Sequence, residues 1–259
     1  MWGIASVRST AIGTITALLV CSGPVAGQTA RELDRKSGGS LFARMWRTAA
    51  CTNELANSPC CPSIVRNSRG ELLLMFTDGA TTTSPASLGL AKSGDEGKSW
   101  SNPQAVYSAS NQKSVPTAMG TLTRLASGKL VAPFSEGDEV RLLVSQDDGG
   151  TWKASGAIDC SPLLEAQPYS RLVEHEGELL MPLFGKLPVS GKQASCSGLL
   201  RSGDGGKTWG DFTVIACDRK EAGTKFGPTA VYADPEGSML AMISADDTYV
   251  YRSISSDGG

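Results

Sequence analysis

The sequence predicts an all-β chain organised as a β-propeller, and three observations carry that prediction: a recurring octapeptide, a near-constant interval between its copies, and a repeated grammar of short apolar strands. The octapeptide appears as Ser93-Gly94-Asp95-Glu96-Gly97-Lys98-Ser99-Trp100, as Ser145-Gln146-Asp147-Asp148-Gly149-Gly150-Thr151-Trp152 and as Ser202-Gly203-Asp204-Gly205-Gly206-Lys207-Thr208-Trp209. All three copies fit S-x-D-x-G-x-[ST]-W. A fourth opens at Ser255, with Asp257 and Gly259 in place. The intervals between first serines are 52, 57 and 53 residues. A period of this size marks repeated supersecondary units, and four strands per unit select radial blades.

The strands follow in order. The first unit has Ser63 to Arg66, a turn at Ser68-Arg69-Gly70, Glu71 to Thr77, and Leu88 to Lys92. The second has Thr117 to Leu125, Lys129 to Pro133 and Val140 to Val144; the third has Tyr169 to Val173, Leu179 to Phe184 and Cys196 to Leu200. The fourth has Thr229 to Tyr232, Ser238 to Ile243 and Thr248 to Ile254. In each unit the octapeptide joins the third strand to a fourth.

The octapeptide is expected to be a folded turn. Its aspartate can accept hydrogen bonds from turn amides, its glycine permits positive φ, and its tryptophan packs on the blade. Asp95, Asp147, Asp204 and Asp257, with Trp100, Trp152 and Trp209, are therefore structural candidates. A phosphate-loop reading of Gly205-Gly206-Lys207-Thr208 fails, because that motif needs glycine where Arg201 stands.

The N-terminal segment has Arg8, an apolar run from Ala11 to Cys21, and small residues around Val25, Ala26 and Gly27. It reads as a signal peptide spanning 1–27 and implies a secreted or periplasmic protein. Residues 28–50 form a lead-in, and 51–259 form the repeat domain. The apolar run is too short to span a bilayer, so no stable membrane insertion is expected. Loss of the leader removes Cys21 and leaves an even set for an oxidising compartment: Cys51, Cys60, Cys61, Cys160, Cys196 and Cys217. Cys196 and Cys217 flank the third octapeptide symmetrically. Antiparallel pairing of the strands on either side sets them opposite each other and predicts a disulfide. Cys160 is left with Cys51, Cys60 or Cys61 as a partner, or with an outward-facing thiol.

Composition narrows the function. With 24 basic and 26 acidic residues the net charge is −2, which advertises no nucleic-acid partner. His175 is the one histidine and no zinc-type cysteine spacing occurs, so no metal or other cofactor is expected. His175 lies in Glu174-His175-Glu176-Gly177, which reads as a solvated turn rather than a base.

Octapeptides at this spacing, behind an export signal, look like the bacterial neuraminidase repeats, or Asp-boxes, of sialidases and related glycan-processing or glycan-binding propellers. The resemblance covers about Cys51 to Gly259. It implies a sialidase-type propeller, six-bladed in that family, of which about four blades are present and the last is cut within its Asp-box. The chain is accordingly expected to be incomplete at its C-terminus. The resemblance also implies an exo-alpha-sialidase type of glycoside hydrolase, in which three arginines grip the sugar carboxylate, a glutamate-activated tyrosine attacks and an aspartate serves as acid/base.

The first arginine's position in Cys60-Cys61-Pro62-Ser63-Ile64-Val65 holds Cys60, and the acid/base position falls on Asp78. Pro228 stands where the glutamate belongs, and Ser244 where the second arginine belongs. The third arginine and the tyrosine would fall beyond Gly259. A shift of a few residues would bring Glu221 or Arg219 into play.

Strand topology gives a separate search. Turns between strands two and three share one face with the blade connections, opposite the octapeptides. The first kind of loop offers Asp78, Glu136, Asp138, Lys186, Lys192, Asp246 and Asp247; the second offers Lys113, Glu165, Arg219, Lys220, Glu221 and Lys225. Arg219, Lys220, Lys225, Glu136 and Asp247 are the ligand-binding candidates, with a glycan or glycoconjugate as the partner. Asp78 and Glu221 are the catalytic candidates. A non-catalytic glycan- or protein-binding propeller is the alternative, because Cys60, Pro228 and Ser244 replace the family's arginine and glutamate. A third option is another hydrolase or lyase that uses Glu136 and Asp247.

Overall fold

Runs rich in Leu, Val and Thr, separated by glycine-bearing turns, can satisfy their backbones only by pairing laterally, and they do so as antiparallel meanders. The computed structural model describes residues 3–7, 31–33, 45–47, 60–79, 86–110, 116, 121–189, 191–218, 223–234, 236–246, 248–256 and 258. Three strands precede the repeats: β1 (Gly3–Val7), β2 (Arg31–Leu33) and β3 (Met45–Arg47), the last two paired together. The first blade is β4 (Cys60–Arg66), β5 (Leu72–Asp78), β6 (Ser87–Ser93) and β7 (Gln104–Ser108). The second is β8 (Thr123–Arg124), β9 (Leu130–Glu136), β10 (Glu139–Ser145) and β11 (Lys153–Ala154).

In the third blade, β12 (Leu164–Gln167) and β13 (Val173–His175) both pair with β14 (Glu178–Val189), followed by β15 (Lys192–Ser202) and β16 (Gly210–Cys217). The fourth is β17 (Phe226–Ala233), β18 (Met239–Ala245) and β19 (Tyr249–Ser255), with β1 antiparallel to the outer edge of β19. The four sheets are the blades of a β-propeller. Among the described residues no helix is long and apolar enough to cross a membrane.

Several boundaries differ from expectation. The inner path of the third blade is not one strand over Tyr169 to Val173 but two short strands around it, with a register shift between Leu164 and Gln167. His175 is not a solvated turn residue: it closes β13 opposite Glu178, and its Nε2 is buried without a hydrogen-bond partner. The hairpin of β14 and β15 extends further than predicted, so Lys186 and Lys192 are strand residues. Of the expected strand over Thr117 to Leu125, β8 supplies Thr123–Arg124, while 117–120 lie outside the described residues. Most of the leader is also outside them, although β1 falls within it.

Blades pack face to face. Leu73, Met75 and Leu88 of the first meet Leu130, Phe134 and Leu143 of the second in one buried cluster. Leu142 and Val140 of the second meet Leu179, Met181 and Leu200 of the third, and Leu180, Leu199 and Ile215 of the third meet Met239, Ala241 and Ile243 of the fourth. The opposite face of the fourth blade leaves Tyr232, Met242, Val250 and Ile254 exposed.

The octapeptides are closed turns. Asp95 accepts from Ser99 N at 2.8 Å, Ser99 Oγ at 2.6 Å and Ser93 Oγ at 2.8 Å. Asp147 accepts from Thr151 N, Thr151 Oγ1 and Ser145 Oγ, and Asp204 from Thr208 N, Thr208 Oγ1 and Ser202 Oγ. The serine hydroxyl accepts in turn from the glycine amide, as in Gly149 N to Ser145 Oγ at 2.9 Å. Donors from Ser99 hold the Asp95 carboxyl down at about 2, and the equivalent threonine donors lower Asp147 and Asp204 as well. Asp257 lies outside the described residues.

In each of the three complete copies two successive residues take positive φ: Glu96 and Gly97, Asp148 and Gly149, Gly205 and Gly206. At Gly149, φ is +88° and an added Cβ would sit 2.6 Å from Leu73 Cδ1 of the neighbouring blade. Gly149→Ala is expected to lower unfolding free energy by about 1–3 kcal/mol in urea titration. Gly94→Ala, with no atom within 4 Å of its added Cβ, should leave it nearly unchanged.

Candidate functional site

On the face opposite the octapeptides, the third and fourth blades build a braced rim. Cys196 and Cys217 are joined by a disulfide and stand directly opposite in the ladder, with Cα atoms 4.1 Å apart. Two register shifts between β15 and β16 lie closer to the turn and leave that pairing intact. Ser195 Oγ donates to Phe226 O at 2.7 Å and Ser197 Oγ to Gly227 O at 2.8 Å, binding β15 to the start of β17. Next to the disulfide, Asp218 N donates to Ser195 O at 3.1 Å, and Asp218 Oδ2 accepts from Gly223 N at 2.9 Å. That bond closes the base of the loop carrying Arg219, Lys220 and Glu221, which themselves lie outside the described residues, as does Asp247.

Lys225 and Asp246 are clasped by two bonds: Lys225 N donates to the Asp246 side-chain Oδ1 at 2.7 Å, and Asp246 N to Lys225 O at 3.1 Å. The blade connection and the β18–β19 turn are thereby locked together, with the Lys225 side chain exposed. Lys186 pairs with Glu165 at 2.8 Å on the surface, an ion pair of little energetic weight. Asp78 ends β5 half-buried.

Glu136 is not a solvated loop charge. It closes β9 at 6% exposure and joins two blades: it accepts from Tyr107 Oη at 2.5 Å, Ser110 N at 2.7 Å and Ser110 Oγ at 2.9 Å. Burial pushes its carboxyl upward, but those donors, with Arg141, bring it below the ordinary range. Burial, followed by the bond to Glu136, pushes the Tyr107 phenol up to about 12. This is a protonated donor on a fixed carboxylate, a brace rather than an activated nucleophile.

Of the positions matched to sialidase chemistry, Cys60 begins β4 opposite Thr77, Pro228 is an exposed residue of β17, and Ser244 is half-buried in β18 opposite Val250. Cys160 is neither outward-facing nor bridged. It is a buried thiol donating to Ile158 O at 3.6 Å, pushed up to about 12 by burial. Among the described residues no cluster of three metal-ligating side chains occurs.

One guanidinium escaped the loop-face search. Arg171, between β12 and β13, is exposed and donates through Nη2 to Ile64 O of β4 at 3.4 Å. Blades one and three are not neighbours, so this contact crosses the central space around which the inner strands are arranged. The signal was hidden because Tyr169 to Val173 read as a regular strand.

Comparison with known proteins bears on the same residues. A family model described as a BNR repeat-like domain matches residues 46–253. A search of curated proteins returned no match. Among solved structures, a protein of unknown function from Dyadobacter fermentans aligns at 20% identity and a TM-score of 0.62, covering 78% of this chain and 66% of that one. A Hadza microbial sialidase aligns at 13% identity and 0.62, covering 80% and 46%. An alpha-L-arabinanase of Penicillium chrysogenum aligns at 18% identity and 0.58, covering 77% and 63%. The chain thus spans less than two thirds of the length of each of these structures. At these identities the likeness is one of fold.

Two measurements test the braces. Cys196→Ser with Cys217→Ser should cost about 2–4 kcal/mol of stability under oxidising conditions and nothing under reducing ones. Tyr107→Phe should delete the phenol that titrates near 12 from an ultraviolet pH titration. Glu136 has a lowered pKa, so its stabilising contribution is present above the ordinary carboxylate range and fades as pH falls through it. Losing the Tyr107 donor raises that pKa, so acid unfolding should begin at a higher pH in the variant.

Proposed function

Because the chain belongs to the BNR repeat-like domain family, we propose that it recognises acidic glycans, sialylated ones among them, in the central space between its inner strands and along the rim opposite its Asp-boxes. The observation that carries the acidic preference is Arg171, an exposed guanidinium reaching across the central space, where a forked donor suits a sugar carboxylate. Lys225 adds positive charge along the rim. Glycan recognition agrees with the company of the fold, since similar structures include a sialidase and an arabinanase.

Binding without sialidase-type hydrolysis is favoured over turnover by a specific set of residues. Cys60, Pro228 and Ser244 offer neither the guanidinium nor the carboxylate that the reaction needs at those strand positions. Asp78 and Glu221 are the carboxylates left for an acid/base role, and Glu136 is committed to Tyr107 and Ser110. We also propose that the protein is exported and that residues 1–27 are removed; this takes β1 with it and opens the outer edge of β19.

The deciding experiment offers the purified chain a fluorogenic sialoside and, separately, a sialyl-oligosaccharide in titration calorimetry. Saturable binding without hydrolysis is expected, with Arg171→Ala weakening it about tenfold. Turnover by the native chain would overturn the binding-only reading, and binding that ignores Arg171→Ala would remove the central guanidinium from the site.

A further inference from the structure

We infer that the Asp-box side carries a second glycan site, a groove between the second and third blades that accepts a sulfated or uronate-bearing sugar. A groove of about 480 Å³ opens there, within the range of small-ligand sites and large enough for a disaccharide. Its floor is apolar, from Val131, Leu142 and Val144, and its rim carries Lys129, Lys153 and Lys207. None of the three lysines forms an ion pair among the described residues.

The groove has a local cause in the repeat. The residue before the conserved glycine of each octapeptide has positive φ and is acidic in the first two copies, Glu96 and Asp148. Asp148 reaches back to the first blade, accepting from Ser68 N at 2.9 Å and Ser68 Oγ at 2.7 Å, with Arg69 Nε 3.9 Å away. The third copy has Gly205 at that position, so at the next junction the carboxylate comes from the neighbouring blade's own inner strand instead of from the octapeptide. That carboxylate is Glu174, whose Oε2 accepts from Ala126 N at 2.7 Å. Lys129 lies beside Gly205: its Nζ is 3.9 Å from where a Cβ on Gly205 would be. Gly205 thus leaves open space beside Lys129, and with no ion pair at Lys129, Lys153 or Lys207 among the described residues that space suits a ligand's anion.

The second observation is Trp152. Trp100 and Trp209 donate their indole N–H to the glycine carbonyls of their own boxes, Gly97 O at 3.2 Å and Gly206 O at 3.1 Å. Trp152 borders the groove with its Nε1 buried and unbonded, so the second box is the one whose tryptophan is not tied down. An indole ring with an aliphatic floor suits the C–H faces of a pyranose, which pack on the electron-rich face of an aromatic ring, while the lysines suit its sulfate or carboxylate. Three lysines around a closed-in apolar floor, on a chain of net charge −2, do not form the extended basic stripe that a nucleic-acid backbone needs. On a polymeric glycan this site would act together with the central site by raising effective concentration.

The test titrates the full chain with a chondroitin-type sulfated disaccharide, following tryptophan fluorescence and calorimetric heat. Native protein is expected to bind saturably. Lys129→Gln, Lys153→Gln and Lys207→Gln combined should weaken binding about tenfold or more with unchanged circular dichroism, Trp152→Phe should abolish the fluorescence change, and N-acetyllactosamine should not bind. No saturable binding, or equal binding by the triple variant, would overturn the inference. Binding of duplex DNA as tightly as the disaccharide, with the same lysine dependence, would overturn the glycan assignment. Arg171→Ala should leave this titration unaffected, which separates failure here from failure at the central site.

Discussion

The aspartate at the third position of each octapeptide, bonded to the amide and hydroxyl four residues on, is the constraint on which the rest of the chain depends. It converts a glycine-rich link into a turn of fixed geometry, and that turn sets the register of the third strand against the fourth. With register fixed, alternate side chains of each strand fall on the correct face, and blades can interdigitate through Leu73, Leu142 and Leu180. Asp148 extends the same device across a blade boundary, so a turn motif also serves as an intersubunit-like clasp within one chain.

Because the turns set the register, much of the fold was legible in the sequence. The octapeptides located the third hairpin of each blade, and the symmetric placement of Cys196 and Cys217 about one of them led to their bridge. What was not legible lay where burial or distant partners decide. Glu136 reads as a loop charge because Gly137 and Asp138 follow it, yet contacts from the preceding blade, Tyr107 and Ser110, draw it inside. His175 sits between two glutamates and reads as solvated, but pairing with Glu178 places it in a ladder.

The candidate site was legible only in part for a related reason. The loop-face argument finds which turns share a side of the propeller, and it brought out Lys225 and Asp246, which are bonded from the Lys225 amide to the Asp246 carboxylate. It is blind to residues on the inner path that point across the middle. Arg171 meets Ile64 at a sequence separation of 107, and nothing local to Ser170-Arg171-Leu172 announces that contact. The groove of the second and third blades was hidden likewise, since Gly205 and Lys129 belong to different repeats.

The strand order of each blade has a kinetic side. Within all four blades nearly every ladder joins strands adjacent in sequence, and apart from the Arg171–Ile64 bond the main contacts between blades link immediate neighbours. Loop-closure entropy is therefore small at each step, and such a chain can gain order one unit at a time, as linear repeat arrays do. Applied force from either terminus should peel blades in succession rather than rupture the whole at once. The exception, in the chain that retains residues 1–27, is the pairing of β1 with β19, which joins residues almost a full chain apart and can form only after the intervening blades have brought the ends together.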